Sequence, residues 1–224
     1  MDGTLLDSLG IWEEADEEYL SRRGITPEEG LGRILYPMTV EEASAYIREH
    51  YPVEQTIEEI AKGVLEIVRE FYEQKAPLKP GAETLLRKLK AQDISMAVAT
   101  TGERMLVEAA FERLGIREFF QGIYTCTETG AGKDRPKIYQ LAAEALQARP
   151  EEVLVFEDAL YAIRTAAKAG FVTVGVEDPY NASDKEAIRE TADYYIEELA
   201  EFPKFGNGKK GEIYEKNSID HSRK

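Results

Sequence analysis

Three apolar runs of the sequence are each followed by side chains that could bind a phosphate or a metal ion. Thr100 closes the first run, and Lys133 lies in a loop rich in Thr and Gly after the second. Glu157 and Asp158 directly follow the third run. Carboxylates hold hard cations such as Mg²⁺, whereas lysine and hydroxyl groups neutralise and hydrogen-bond phosphate oxygens. These residue types together favour Mg²⁺-assisted phosphoryl chemistry.

Each of these side chains also has an ordinary structural explanation. Thr100 could cap the helix that follows it, and Lys133 could simply be solvated. Glu157 and Asp158 could favour a helix N-terminus, where a carboxylate contributes about 0.3–1 kcal/mol. The functional interpretation therefore depends on the shared placement of all four residues after apolar segments.

Those apolar segments must form a parallel sheet if the four residues are to meet. From residue 76 onward, after two prolines and a glycine, apolar runs alternate with helical segments. We predict strands at 94–99, 122–126, 153–156, 172–176 and 194–196, with a helix capped by Ser183 between the last two strands. Strands alternating with helices form βαβ units, which predicts an α/β fold. The carboxyl ends of parallel strands lie along one edge of the sheet, where distant residues converge.

The part of the chain before residue 76 has a different pattern. Residues 9 to about 75 show helical periodicity throughout, with Trp12 on the apolar stripe of the first helix. Helix-start sequences with capping-box spacing begin at Thr26, Thr39 and Thr56. We therefore expect an all-helical subdomain here, followed by the α/β unit.

Composition and charge exclude several classes of protein. The formal net charge of −15 makes DNA and anionic membrane surfaces poor partners. A small anionic substrate stays compatible if a metal ion or a lysine supplies positive charge locally. The single cysteine, Cys126, allows no internal disulfide, and no run of about 18 apolar residues is present. We expect a cytoplasmic protein, with the polar segment 201–224 as a disordered tail.

The sequence opens on a tight acidic turn, Met1-Asp2-Gly3-Thr4, because Asp bonds its own backbone and Gly accepts positive φ. Alone, this turn would be a surface feature. Because of this turn and the later segments, the chain resembles the haloacid dehalogenase (HAD) superfamily of aspartate-nucleophile phosphatases, in the branch of phosphoglycolate phosphatases and β-phosphoglucomutases. The turn matches the last four residues of that family's first motif, D-x-D-G-T. The second, third and fourth motifs match at Thr100, at Lys133 before Pro136, and at Glu157-Asp158.

The resemblance covers about residues 1–200 and implies a particular division of the chain. A HAD-like, Rossmann-like parallel-sheet core would comprise residues 1–8 and 79–200. Residues 9–78 would form a helical cap inserted after the first motif. The cap would close over the site and decide which substrate enters it.

The resemblance also implies a role for each matching residue. Asp2 would act as general acid/base and bind Mg²⁺ through its main-chain carbonyl. Thr100, the adjacent Thr101 and Lys133 would hold the phosphate. Asp158 would ligate Mg²⁺ directly, and Glu157 directly or through water. The implied reaction is in-line attack by an aspartate on a small phosphorylated metabolite, such as a sugar phosphate or phosphoglycolate. The aspartyl-phosphate formed is then hydrolysed by water.

One departure from the family pattern concerns the nucleophile itself. The first Asp of D-x-D-G-T would lie one residue before Met1, and the apolar strand that carries it would also precede Met1. In the family this strand is central, so its loss leaves two ladder edges unpaired. Either the sequence starts late, or the protein is a defective relative that only binds phosphate or metal. The intact second, third and fourth motifs favour a late start.

The first cap helix bears on the type of reaction. Phosphomutases of this branch carry a histidine four residues after the Ser or Thr that follows the first motif. Trp12 occupies that position, and the two histidines are His50 and His221. A phosphomutase is therefore disfavoured. The acidic pair at Glu157 and Asp158 argues against dehalogenation, which in this superfamily needs no Mg²⁺.

Overall fold

The computed structural model describes residues 1–202, and it shows an α/β protein with parallel strands, as predicted. The helices of the first part are α1 Ile11–Ser21, α2 Leu31–Leu35, α3 Val40–His50 and α4 Ile57–Gln74. The second part contains α5 Ala82–Ala91, β1 Met96–Thr100, α6 Arg104–Arg113, β2 Phe120–Thr125, α7 Cys126–Thr129, α8 Lys137–Ala145, β3 Leu154–Glu157, α9 Leu160–Lys168, β4 Val172–Val176, α10 Lys185–Thr191 and β5 Tyr194–Ile196. Short 3₁₀ turns lie at Arg117–Phe119, Pro150–Glu152, Pro179–Asp184 and Leu199–Glu201.

The strand bounds agree closely with the predicted ones. β4 and β5 coincide with their predicted ranges, whereas β1 begins at Met96 and not at Ile94. The amide of Ile94 bonds the carbonyl of Leu89 at 3.1 Å, which closes the end of α5. Ile94 therefore belongs to the turn that ends α5, although its apolar side chain extends the hydrophobic run of β1 in the sequence.

Two of the predicted helix starts are confirmed and two are wrong. Thr39 and Thr56 form complete capping boxes at α3 and α4. Thr26 starts no helix, because the amide of Glu28 bonds the Tyr51 hydroxyl at 3.1 Å and α2 begins only at Leu31. The predicted cap at Ser183 fails because that residue lies inside a 3₁₀ turn that precedes α10.

The strands form two separate parallel sheets within residues 1–202. One has the order β1-β2 and the other the order β3-β4-β5. A cavity of about 350 Å³ lies between β1 and β3. It is lined by every residue of the segments 94–99 and 152–157. Within residues 1–202 neither strand pairs across this cavity, so each has an edge there without a neighbouring strand. This is the arrangement that the loss of a central strand predicts.

The helical region joins the α/β unit through two adjacent chain segments. Leu6 bridges Leu78 in antiparallel fashion. The Asp7 amide bonds the Pro77 carbonyl at 3.0 Å. All of α1 to α4 lies between these two crossings. The predicted division at residues 8 and 79 is compatible with this junction but stays a prediction.

The end of the described chain corrects one expectation. Glu201 ends a 3₁₀ turn, and Phe202 is buried with its ring centroid 4.9 Å from that of Phe156. The predicted disorder is therefore wrong for these two residues, because the aromatic ring of Phe202 packs on the core. The rest of the predicted tail, 203–224, lies outside the described residues. Among residues 1–202, no helix is long and apolar enough to cross a membrane.

Candidate active site

Lys133 and Glu157 form a buried ion pair at the carboxyl end of β3. Lys133 Nζ lies 2.5 Å from Glu157 Oε1, and the side chains are 7% and 4% exposed. The Tyr139 hydroxyl donates to the same oxygen at 3.0 Å. Burial alone would lower the pKa of Lys133, but the charge and hydrogen bond of Glu157, together with the charge of Asp158, outweigh burial and raise that pKa. The lysine therefore stays protonated in a water-poor site, where its charge acts strongly on an anion.

Asp158 is fixed from both sides by neutral hydrogen-bond donors. The Thr4 hydroxyl donates to Oδ1 at 2.7 Å, and the Asn181 amide donates to Oδ2 at 2.8 Å. Burial, together with the adjacent Glu157, raises the pKa of Asp158. Gly3 allows the close approach, because a Cβ there would lie 2.4 Å from Asp158 Oδ2. The acidic turn at the start of the chain is thus packed on the fourth motif and is not a surface feature.

Asp2 is held by one residue that follows its turn and one residue of the helical region. The Ser8 hydroxyl donates to Asp2 Oδ1 at 2.6 Å, and the Tyr72 hydroxyl donates to the same atom at 2.8 Å. Burial, with Asp2 nearby, raises the pKa of Tyr72, so its hydroxyl keeps its proton. Tyr72 lies on α4, which places this helix directly over the site.

Thr100 is buried at the end of β1, and its hydroxyl oxygen accepts a hydrogen bond from the Gly102 amide at 3.0 Å. A Cβ at Gly102 would lie 3.3 Å from Thr100 Oγ1 and 3.6 Å from Asp2 Oδ2. The hydroxyl and the carboxylate therefore flank the same glycine. Thr101 differs, because it is exposed at the start of the following turn.

Lys79 ties the acidic turn to the end of β4. Its ammonium group donates to the Gly3 carbonyl at 2.8 Å and to the Glu177 carbonyl at 2.6 Å. It also pairs with Asp178 at 2.7 Å, with side chains 10% and 2% exposed. This lysine therefore holds the main chain of the first motif beside the end of β4.

The main-chain nitrogen of Met1 lies among these groups. Burial and the positive charge of Lys133 lower the pKa of this amine, while Glu157, Asp2 and Asp158 oppose them. The site thus brings together Asp2, Thr100, Lys133, Glu157 and Asp158, as the sequence predicts.

A family model for haloacid dehalogenase-like hydrolases matches residues 1–176 of the chain. This match spans the first motif, both sheets up to β4, and Asp2, Thr100, Lys133, Glu157 and Asp158. The chain belongs to this family.

Curated relatives and solved structures support the same assignment. Validoxylamine A 7'-phosphate phosphatase of Streptomyces hygroscopicus subsp. limoneus is 29% identical, over 90% of this chain and 92% of that protein. A phosphorylated carbohydrates phosphatase of Thermotoga maritima is 27% identical, over 76% and 79%. The crystal structure of CbbY from Rhodobacter sphaeroides in complex with phosphate is similar, with 28% identity, a TM-score of 0.68, and coverage of 90% and 92%. This haloacid dehalogenase-like chain is therefore a hydrolase related to phosphatases of small phosphorylated metabolites.

Several residues of this hydrolase site were not predicted from the sequence. Ser8, Tyr72 and Lys79 reach the first motif through hydrogen bonds that no local pattern reveals. Asp178 had a usable signal, because it follows the apolar run of β4 just as Glu157 and Asp158 follow that of β3. The structure places His50 at the end of α3, stacked on Tyr46 at 3.9 Å between ring centroids, so its partner is an aromatic ring.

The donor set can be compared with what Mg²⁺ requires. Within residues 1–202, no cluster of three or more His, Cys, Asp and Glu side chains is placed to hold a metal ion. Magnesium usually needs only one or two carboxylates, with water and substrate phosphate completing its shell. Glu157 and Asp158 are buried neighbours, and Lys133 forms an ion pair with Glu157 alone, so the two carboxylates carry more negative charge than this lysine neutralises. The residues present therefore fit a Mg²⁺ ion in kind and in charge.

Removing the Tyr72 hydroxyl gives a test of the contact between α4 and the site. We expect Tyr72→Phe to lower the free energy of unfolding by about 1 kcal/mol, the usual net value of one hydrogen bond. Asp2 keeps its bond from Ser8, so the loss stays small. Urea denaturation measures it, with Tyr161→Phe as control because that ring is half exposed. Equal stabilities of the two variants would contradict a Tyr72–Asp2 bond in solution.

Proposed function

We propose that this protein is a Mg²⁺-dependent phosphomonoesterase for a small phosphorylated metabolite. The observation that carries the proposal is the buried group of Lys133, Glu157, Asp158 and Thr100 at the carboxyl ends of β1 and β3. Buried cations and fixed donors stabilise the charge of a transferring phosphoryl group far better than exposed ones do.

The proposed reaction divides its tasks among these residues. Lys133 and Thr100 bind the phosphoryl oxygens, and Asp2, oriented by Ser8 and Tyr72, protonates the leaving oxygen and later deprotonates water. Glu157 and Asp158, with the main-chain carbonyl of Asp2, would hold Mg²⁺. When bound, that ion would neutralise phosphate charge. The attacking carboxylate belongs to a residue bonded to the Met1 nitrogen, and it forms an aspartyl-phosphate.

The cavity between β1 and β3 supports the position of that nucleophile. A strand filling this cavity would run parallel to β1 and β3. Its last residue would be bonded to Met1 and would lie among Lys133, Glu157 and Asp158. The cavity is lined mainly by apolar side chains, among them Leu86, Val98 and Val155. An apolar extended segment therefore suits it, as the family pattern implies.

The substrate class is supported by the named relatives. The Streptomyces protein is named for validoxylamine A 7'-phosphate and the Thermotoga protein for phosphorylated carbohydrates. We propose a polyhydroxylated phosphate ester as the substrate. A phosphomutase reaction is disfavoured, since Trp12 contacts Tyr72 at the position where such enzymes would need a histidine.

The proposal is tested by hydrolysis of an aryl phosphate. A protein that carries the upstream strand and its terminal Asp should hydrolyse p-nitrophenyl phosphate and stop when Mg²⁺ is chelated. Asp158→Ala should remove at least about 99% of this activity, since loss of one such electrostatic group costs on the order of 10² in rate or more. Asp134→Ala is the matched control, because Asp134 is an exposed carboxylate directly after Lys133 in the chain. Metal-independent turnover, or none, would refute the proposal.

A second candidate is a phosphate- or metal-binding module without hydrolysis. It is favoured by the hydrogen bonds that already engage the carboxylates of Asp2, Glu157 and Asp158, which leaves no free nucleophile among them. The 224-residue chain distinguishes the candidates. If it hydrolyses aryl phosphate in a Mg²⁺-dependent manner, and Asp158→Ala abolishes this, the binding-only interpretation is wrong.

A further inference from the structure

A second cavity lies inside the helical region, and it contains a buried carboxylate. Its volume is about 330 Å³, within the range of small-ligand pockets. We name it the cap pocket, lined mainly by Trp12, Asp16, Leu35, Tyr36, Met38 and Val64.

Asp16 is the unusual member of this lining. Its residue is 6% exposed, yet within residues 1–202 no donor or cation forms a hydrogen bond or ion pair with its carboxylate. Burial, with some repulsion from Glu17, raises the pKa of Asp16 to about 6. A buried carboxylate without a partner destabilises a protein, so such a group is a candidate for binding.

The cap pocket adjoins the active site through its aromatic members. Trp12 lies next to Tyr72, whose hydroxyl donates to Asp2. Tyr36 stacks on Tyr180, which follows β4, at 6.1 Å between ring centroids. Trp12 and Asp16 are four residues apart on α1 and so lie on one face of it. The lining of the cap pocket is therefore adjacent to Tyr72, which is one hydrogen bond away from Asp2.

The chemistry of the lining selects a class of ligand. Trp12 and Tyr36 are 37% and 43% exposed, which leaves ring surface for the C–H face of a sugar or cyclitol. A carboxylate accepts hydrogen bonds from two neighbouring hydroxyls and can donate none when ionised. The apolar remainder offers no other strong partner for a polar ligand.

We propose that Asp16 is a specificity-determining residue, which binds hydroxyl groups of a phosphorylated sugar or polyol in the cap pocket. This inference depends on the proposed function, because the phosphate of the same molecule would occupy the site at Lys133. The hydroxyl-bearing end replaces the missing partners of the Asp16 carboxylate. A substrate without hydroxyls leaves that carboxylate desolvated and is therefore bound less tightly.

Calorimetric titration of the 224-residue chain with Mg²⁺ tests this. The probes are inorganic phosphate, ethyl phosphate, glucitol 6-phosphate and glucosamine 6-phosphate. We expect glucitol 6-phosphate to bind more tightly than ethyl phosphate, and Asp16→Asn to weaken it by about tenfold or more. Binding of inorganic phosphate should stay unchanged. Glu14→Gln, which removes an exposed charge from the same helix, is the control and should change neither affinity.

Stability gives a second readout that a structural role would not produce. Above pH 6 the ionised Asp16 costs stability, and this cost disappears as pH falls through the raised pKa toward 4. Asp16→Asn should therefore raise the denaturation midpoint at pH 7.5 and not at pH 4. The other ionisable groups near Asp16 are Tyr36 on the rim of the pocket and Glu17, which accepts a hydrogen bond from the Gly32 amide. The lining residues from α3 and α4 are the apolar Val40, Ala43 and Val64.

The outcomes separate this inference from the function on which it rests. If inorganic phosphate binds but Asp16→Asn leaves glucitol 6-phosphate affinity unchanged, the Asp16 inference alone is wrong. A preference confined to glucosamine 6-phosphate would contradict the hydroxyl assignment. Equal weakening for every probe, with a lower midpoint, would show a structural role. If no probe binds the wild-type chain, the proposed function and this inference both fail.

Discussion

Extending the chain before Met1 with five or six apolar, β-branched residues and a final Asp should produce phosphatase activity. The same extension ending in Asn should fold equally well and be inactive, with a rate lower by on the order of 10⁴ or more. Only the carboxylate differs, so this pair of proteins isolates the nucleophile. Turnover of p-nitrophenyl phosphate with Mg²⁺ measures it. Equal rates for the two extensions would place the nucleophile elsewhere.

The same extension should also stabilise the protein. It would pair the facing edges of β1 and β3 and fill the cavity of about 350 Å³ between them. Each buried Val or Ile side chain contributes about 1.5–3 kcal/mol, against about 1–2 kcal/mol of backbone entropy per ordered residue. We expect a net gain on the order of 3 kcal/mol in the free energy of unfolding. An extension of equal length with lysines at alternate positions is the control and should give no gain.

Replacing Lys79 by Met should strongly destabilise the protein. Asp178 would keep its charge at 2% exposure without its partner, and the Gly3 and Glu177 carbonyls would lose their donor. Removing one member of a buried ion pair typically costs about 3–5 kcal/mol. Urea denaturation at neutral pH measures this cost.

Two further variants make the Lys79 result interpretable. Lys62→Met, at an exposed position of α4, should change stability by less than about 0.5 kcal/mol. Adding Asp178→Leu to Lys79→Met should recover part of the loss, because no charge is then left unpaired. A loss below about 1 kcal/mol for Lys79→Met would mean that the pair is open to solvent.

The sequence alone predicted the α/β class, the positions of the strands along the chain and the polar residues that follow them. These predictions succeeded because they depend on local periodicity and on one geometric rule, that parallel strands end at a common edge. The capping boxes at Thr39 and Thr56 were predicted correctly for the same reason, because each joins residues only three apart in sequence. The predicted helix start at Thr26 was wrong because the Glu28 amide bonds the distant Tyr51 hydroxyl. The predicted start at Ser183 was wrong because that residue lies inside a 3₁₀ turn.

Only the tertiary structure decided how the opening turn becomes part of a site. Its Gly3 fits against Asp158, its carbonyl is held by Lys79, and its Asp2 is bonded from the helical region by Tyr72. These partners lie far away in sequence, so no periodicity encodes them. The unpartnered Asp16 and the cavity between β1 and β3 are properties of the packing as well. Residue types thus determine which chemistry the chain can perform, and long-range contacts determine where and on what it acts.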